Sequence, residues 1–342
     1  MSEPSSEWIY EPGIGENRAA RIQAGTIVEL RVERASDGAP AGTIALARLL
    51  PRATAPLPLV RLADGEEAVL RAIPAGVSEG RDILVEITRS ALSEVDVRKR
   101  ALARLADEGA LPHRPSLLSS ITASGTPVRT LHPHQPDALE DAGWSEWLEC
   151  ARIGHIPFTG GLLRLSLTPA MAVFDVDGTL PPAQLAQAGA GAAARAILAL
   201  GIAGNIVIDL PTLANKAERI AAADAIDAAL PPPFERTAVN GYGLIQIIRP
   251  RARASIAERL QFARVESAAL ALLRRAQRAC SGTGQTQRPA GGGTALTLIA
   301  APALITWLGT RPELIDTLTK ACARQIVLQA DAARAIDGGD VQ

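Results

Sequence analysis

Hydrophobic and polar positions change period several times along the 342 residues. Trp8–Tyr10 opens a short strand, and Glu11–Ile22 reads as a turn and a strand of mixed charge. Thr26–Glu33 alternates apolar and charged residues, as a half-exposed strand does. Asp37-Gly38 predicts a hairpin turn, with Gly42–Leu50 as the returning strand. More short strands follow in LPLVRLADGEEAVLRAI and DILVEITRSAL, so residues 26–90 form an all-β block compatible with a small barrel. Ser93–Asp107 is expected to be a charged helix, and 109–136, rich in Pro, Ser and Gly without periodicity, a linker. Asp137–Arg152 predicts a helix whose Trp144 and Trp147 pack on a sheet. Gly160–Thr168 is an alternating strand that should hairpin through Thr168-Pro169 into Met171–Asp177. That second strand, MAVFDVD, is followed by a helix at Ala183–Ala199 and by an apolar strand at Asn205–Asp209. Strand, helix, strand is a crossover unit, so these two strands should run parallel.

Beyond Asp209 the pattern predicts an amphipathic helix at Leu213–Leu230, closed by Pro231–Pro233. Short strands at Thr237–Asn240 and Gly243–Arg249 flank Gly241, and Ala254–Cys280 reads as one long helix. SGTGQTQRPAGGG is a hinge. Helices at Ala295–Leu308 and Pro312–Arg324, a strand at Gln325–Gln329 and a frayed last dozen residues complete the expectation.

A net charge of -1 gives no global basic field that would by itself point to nucleic acid. Three widely spaced cysteines, Cys150, Cys280 and Cys322, suggest neither a disulfide framework nor a zinc pattern, so a reducing cytoplasm is expected. Cys150 and Cys322 are read as core residues. The polar, acidic MSEPSSEW is no signal peptide, and no apolar run is long enough to span a bilayer, so no membrane partner is expected.

The candidate chemistry lies at the strand ends. Asp175 and Asp177 alternate with Phe174 and Val176 and leave the strand on one side. Open parallel sheets bind ligands beyond the carboxyl ends of their strands, where Asp209 should join them. Crowded carboxylates repel unless a cation joins them, and magnesium fits. The competing reading, strand-end acids that cap turns, is the default for one such residue and less so for three. Between Pro231 and Cys280 nine arginines face three acids. Arg236, Arg249, Arg251 and Arg253 are expected nearest the acids, with phosphate contact and ordinary surface exposure evenly weighed. Arg259–Arg278 is expected to be a solvated basic helix face. Tyr242, in the NGYG turn, offers a ring for base stacking, and Lys216 a minority phosphate contact. His132 and His134 are a weak metal pair.

Two families share these aspartates. FDVDGTL resembles the motif of haloacid-dehalogenase-like phosphatases, with Asp175 as nucleophile and Asp177 as general acid-base. That resemblance stops at the motif: the next strand ends in Asp209 rather than Ser or Thr. Five segments in order resemble the ribonuclease E/G family: GIGENRAARIQAGTIVELRVER, GGLLRLSLTPAMAVFDVDG, GIAGNIVIDL, ERTAVNGYGLIQIIRPRAR and RACSGTG. This resemblance implies an α/β (α+β) chain with a deoxyribonuclease-I-like catalytic domain, a ribonuclease-H-like subdomain and an inserted OB-type barrel. Residues 1–34 and 137–168 would form the ribonuclease-H-like part, and 35–108 the barrel. After the linker at 109–136, residues 169–280 would be catalytic, 281–294 a hinge and 295–342 a small C-terminal domain. It implies magnesium-dependent cleavage of single-stranded RNA, with Asp175 and Asp209 as metal ligands and Asp177 standing where the family has asparagine, either as an orienting group or as a third metal ligand.

Departures sharpen the expectation. The connection after the central strand, Thr179–Ala193, is short, and so is 109–136, too short for the family's 5′-monophosphate pocket. With one cysteine, Cys280, where the family uses two, a zinc-linked dimer is not expected, although a homo-oligomer is open. No Phe, Trp or Tyr falls between residues 35 and 100, so barrel-driven base stacking should be weak. A non-catalytic RNA-binding relative is therefore the second reading and a phosphatase the third.

Overall fold

The computed structural model describes residues 6–51, 57–73, 77–94, 98–282 and 295–342. The chain opens with strands β1 (Ser6–Glu11), β2 (Glu16–Gln23) and β3 (Thr26–Arg34). Next come β4 (Ile44–Leu49), β5 (Leu59–Leu62), β6 (Glu67–Leu70), β7 (Asp82–Arg89), β8 (Leu92–Ser93), β9 (Arg98–Lys99) and β10 (Ala101–Leu105). Helix α1 (Leu117–Thr122) precedes β11 (Val128–Thr130), and α2 (Ala138–Asp141) precedes α3 (Trp144–Ile153). The middle consists of β12 (His155–Phe158), β13 (Gly161–Leu167), β14 (Ala172–Gly178), α4 (Pro182–Leu200), β15 (Gly204–Asp209), α5 (Lys216–Ala229), β16 (Glu235–Arg236) and β17 (Leu244–Arg249). Last are α6 (Ile256–Phe262), α7 (Arg264–Cys280), β18 (Ala295–Ala300), α8 (Pro302–Gly309), α9 (Pro312–Cys322), β19 (Gln325–Ala330) and β20 (Asp340–Val341). This is a mixed α/β chain. It divides into two units: residues 1–35, 121–148 and 259–342 form one, and 36–120 with 149–258 the other.

The second unit holds a closed five-stranded barrel, β10-β6-β5-β4-β7. Val60, Ala68, Val85, Ile87, Ala101 and Ala103 fill it and are completely buried. Two expectations are corrected here. No hairpin joins β3 to β4 across Asp37-Gly38; Ala35–Asp37 is a turn of 3-10 helix and β4 pairs with β5 and β7. Nor are the described residues of Ser93–Asp107 helical. Ala101 and Ala103 of this segment point inward at a period of two, and its charges pair across the barrel wall, Arg100 with Glu67 and Arg104 with Glu86. Pairing partners outside the segment, invisible to local propensity, decided the strand.

The same unit contains a six-stranded sheet, β12-β13-β14-β15-β17-β16, in which only β14 and β15 run parallel. Its inward face is apolar: Phe174, Ile206, Ile208, Ile245 and Ile247 are completely buried. Helix α4 packs on it, entered through Pro182 and ended at Gly201, whose φ of 66° is left-handed. Gly189 brings helix and sheet together, since a Cβ there would lie 2.3 Å from Val176 Cγ1. The hairpin through Thr168, the crossover and both helices follow the sequence expectation. β12 and β13, grouped in advance with residues 137–154, hydrogen-bond into the sheet of β14. The strand expected at Thr237–Asn240 is instead the two-residue β16.

In the first unit β11-β1-β2-β3 form one sheet, with β11 parallel to β1. The stretch 109–136 is therefore more than a linker: it supplies α1 and β11. Gly143, at φ 96°, splits the helix expected at Asp137–Arg152. Residues 254–280 likewise form two helices, broken at Ala263. Residues 295–308 are corrected from helix to strand plus helix. LTLI alternates with β-branched residues, and Pro302 forces an extended Ala301 (ψ 145°) before it can start α8. The last dozen residues are not frayed, because β20 pairs with β18. One core joins Ile14, Leu270 and Leu273 of α7, Leu298, Leu304 and Leu318, so 295–342 shares its interior with α7.

Two further corrections concern side chains. Cys280 and Cys322 form a disulfide at the ends of α7 and α9, while Cys150 stands outside it and is partly exposed. Arg259, Arg274 and Arg278 are buried rather than solvated. Arg274 reaches Glu11 at 2.8 Å and Asp137 at 2.7 Å, and Arg278 reaches Asp137 at 3.0 Å. Their acids lie far away in sequence, which is why a helix-face reading missed them. The expected hinge falls mostly on 283–294, outside the described residues.

Candidate functional site

The expected carboxylates meet on the sheet face opposite α4. In the parallel β14–β15 register Asp175 stands directly beside Asp209, and Asp177 lies two residues further along β14 on the same face. Asp177 and Asp209 are exposed and Asp175 partly buried. Burial pushes the Asp175 carboxyl above its ordinary value, and the charges of Asp177 and Asp209 push it further. Arg164 and the Val176 N–H act against this rise without reversing it. Two adjacent carboxylates on neighbouring strands are a donor set for a hard cation retaining several waters. Among the described residues no group of three or more His, Cys, Asp or Glu is arranged to hold a metal ion. Any metal would therefore rest mainly on Asp175 and Asp209.

Arg164 is the residue that sequence reasoning passed over. It faces Asp175 across the β13–β14 hairpin, and its guanidinium pairs with Asp177 at 3.2 Å. The signal was available: with the hairpin at Thr168-Pro169 accepted, counting residues back from the turn sets Arg164 opposite Asp175.

The arginines expected beside the acids are elsewhere. β17 runs antiparallel to β15, so Leu244 faces Asp209 and Arg249 faces Gly204. Five residues of strand separate the two ends, about 16 Å. Arg249 donates to the Ile202 carbonyl at 3.1 Å. Arg251 pairs with Glu258 and, at 3.7 Å, with Glu94, next to the Ser90 N–H that donates to the Ala252 carbonyl. The 249–252 segment thus binds the sheet to residues following β7. Arg253 is partly buried in the same segment. Arg236 makes a two-pronged pair with Asp227 of α5. These side chains hold the fold, and the antiparallel return of β17 carries Arg249, Arg251 and Arg253 away from the carboxylates.

Tyr242 is at the carboxylate end. It is 82% exposed in a turn held by the Asn240 side chain, which accepts from the Tyr242 and Leu244 N–H groups. Gly243, at φ 93°, lets this turn touch the chain just after Asp209: its carbonyl accepts from the Leu210 N–H, and a Cβ would lie 2.2 Å from the Leu210 carbonyl oxygen. Lys216 is exposed at the first turn of α5, whose Asn215 cap accepts from the Glu218 N–H. The weak pair His132 and His134 stack at 5.7 Å in the other unit. Among the described residues no helix is long and apolar enough to cross a membrane. No family model matches the chain, and no curated protein matches it significantly.

Proposed function

We propose that this chain acts on single-stranded RNA as a magnesium-dependent endoribonuclease of the ribonuclease E/G type. In this reading the six-stranded sheet corresponds to the deoxyribonuclease-I-like catalytic domain, the barrel to the inserted OB-type module, and the sheet of β1 to the ribonuclease-H-like subdomain. The observation that carries it is the Asp175–Asp209 pair on neighbouring parallel strands, with Asp175 raised from its ordinary value by burial and by the neighbouring acids. These two side chains would hold the metal, which supplies a polarised water and charge stabilisation at the phosphate. Arg164 keeps Asp177 oriented and offsets part of the acidic charge that would repel a phosphodiester. Tyr242 offers an exposed ring to a base next to the scissile bond.

A second reading, a relative that binds RNA without cutting it, draws on a different observation. Arg249 and Arg251 stand at the far end of β17 from the acids, so they bring no positive charge to a phosphate beside Asp175 and Asp209. The test is incubation of labelled single-stranded RNA and magnesium with the protein and with an Asp175→Asn/Asp209→Asn variant. Cleavage by the parent alone supports the nuclease. Binding without cleavage supports the second reading. Neither cleavage nor binding refutes both, and release of phosphate from small phosphomonoesters would then favour the phosphatase.

A further inference from the structure

A cavity of about 460 Å³ opens on the helical side of the six-stranded sheet, away from the carboxylates. Its walls are α4, the last turns of α5 and the turn between β12 and β13. The helices contribute mostly alanine, including Ala225 and Ala228, and these short side chains leave the volume open. Phe158 lines one side, and its ring is held against Gly161, where a Cβ would lie 2.4 Å from Cζ. Gln187 and Thr159 add an amide and a hydroxyl.

Arg195 is the cation of this cavity. Arg195 is exposed at the rim of the cavity, and among the described residues no carboxylate pairs with it, so its guanidinium is open to a ligand. Its Nη1 lies 3.4 Å from the place a Gly191 Cβ would take, so the glycine leaves room for the guanidinium over the α4 surface. A guanidinium without an acid, beside an alanine-lined floor and an aromatic ring packed on Gly161, matches a specific chemistry. The fork binds a carboxylate or phosphate, and the floor and ring receive a planar body. The volume is within the range of small-ligand sites.

We propose that this cavity binds a small organic anion, a planar ring carrying a carboxylate or phosphate, with Arg195 as the anion contact and Phe158 and the alanine floor as the ring contact. The site is independent of the reaction proposed at Asp175 and Asp209.

Isothermal titration of the full chain tests it with three probes. Adenosine monophosphate carries ring and phosphate, benzoate carries ring and carboxylate, and inorganic phosphate has no ring. Arg195→Gln and Ala228→Glu, both at exposed positions, serve as variants; the second sets a carboxylate at the rim that competes for Arg195. The expected result is binding of a ring-bearing probe, weakened roughly tenfold or more by each variant. The tighter of the first two probes identifies phosphate or carboxylate as the natural group. Three results overturn the proposal: no binding of either ring-bearing probe, binding that survives either substitution, or inorganic phosphate binding as tightly as both.

Discussion

Two glycines of α4, two residues apart and both buried, should respond oppositely to the same substitution. A methyl at Gly189 would lie 2.3 Å from Val176 Cγ1 and 3.2 Å from Cγ2. Val176 is 5% exposed and stiff at χ1, with Asp175 and Asp177 on either side of it, so it has little room to turn away. Overpacking of this kind costs about 1–3 kcal/mol, against about 1 kcal/mol gained when alanine replaces a helical glycine. Gly189→Ala should therefore be net destabilising, by up to about 2 kcal/mol. At Gly191 the nearest atom is the flexible end of Arg195 at 3.4 Å, with Ala225 atoms at 3.9 and 4.0 Å. Gly191→Ala keeps the propensity gain without the clash, up to about 1 kcal/mol. Urea denaturation followed by circular dichroism compares the two variants. Adding Val176→Ala to Gly189→Ala should recover part of the loss, because the two share one contact. Equal stability of Gly189→Ala and Gly191→Ala would refute the close helix–sheet approach.

Three further outcomes rest on the same fold. The folded Asp175 carboxyl holds its proton to higher pH than the unfolded one, so its contribution to stability is complete below the ordinary carboxylate range and falls as pH rises through and above it. Asp175→Asn should therefore raise the thermal midpoint at neutral pH, and magnesium should stabilise the parent but not the variant; a midpoint unchanged by both contradicts the crowding. The Cys280–Cys322 bond closes a separation of 42 residues, for which chain entropy gives about 4 kcal/mol. Dithiothreitol or Cys322→Ser should lower the melting midpoint accordingly, and insensitivity to both would count against the bond. Arg274→Met leaves Glu11 buried beside Asp137 and should cost about 3–5 kcal/mol in chemical denaturation, whereas Arg264→Met, whose pair with Asp337 is exposed, should cost under about 1 kcal/mol.

Local pattern was enough wherever an element carried its own instruction. The alternation of Phe174 and Val176 with Asp175 and Asp177, the alanine-rich helix between Pro182 and Gly201, and the acid closing β15 placed the carboxylate cluster before any pairing was known. The sequence alone therefore determined the crossover unit, the presence of a small barrel and the identity of the acidic pair. Tertiary structure decided everything that depends on partners distant along the chain. The direction of β17 sent Arg249 and Arg251 to the far end of the sheet, and the β13 hairpin register put Arg164 beside Asp177. Ala101 and Ala103 became a strand because the barrel had to close, and Arg274 and Arg278 became interior residues because Glu11 and Asp137 meet them from segments 137 or more positions away. Periodicity reports which face of an element is apolar. It carries no record of which element that face, or the charge beside it, will meet.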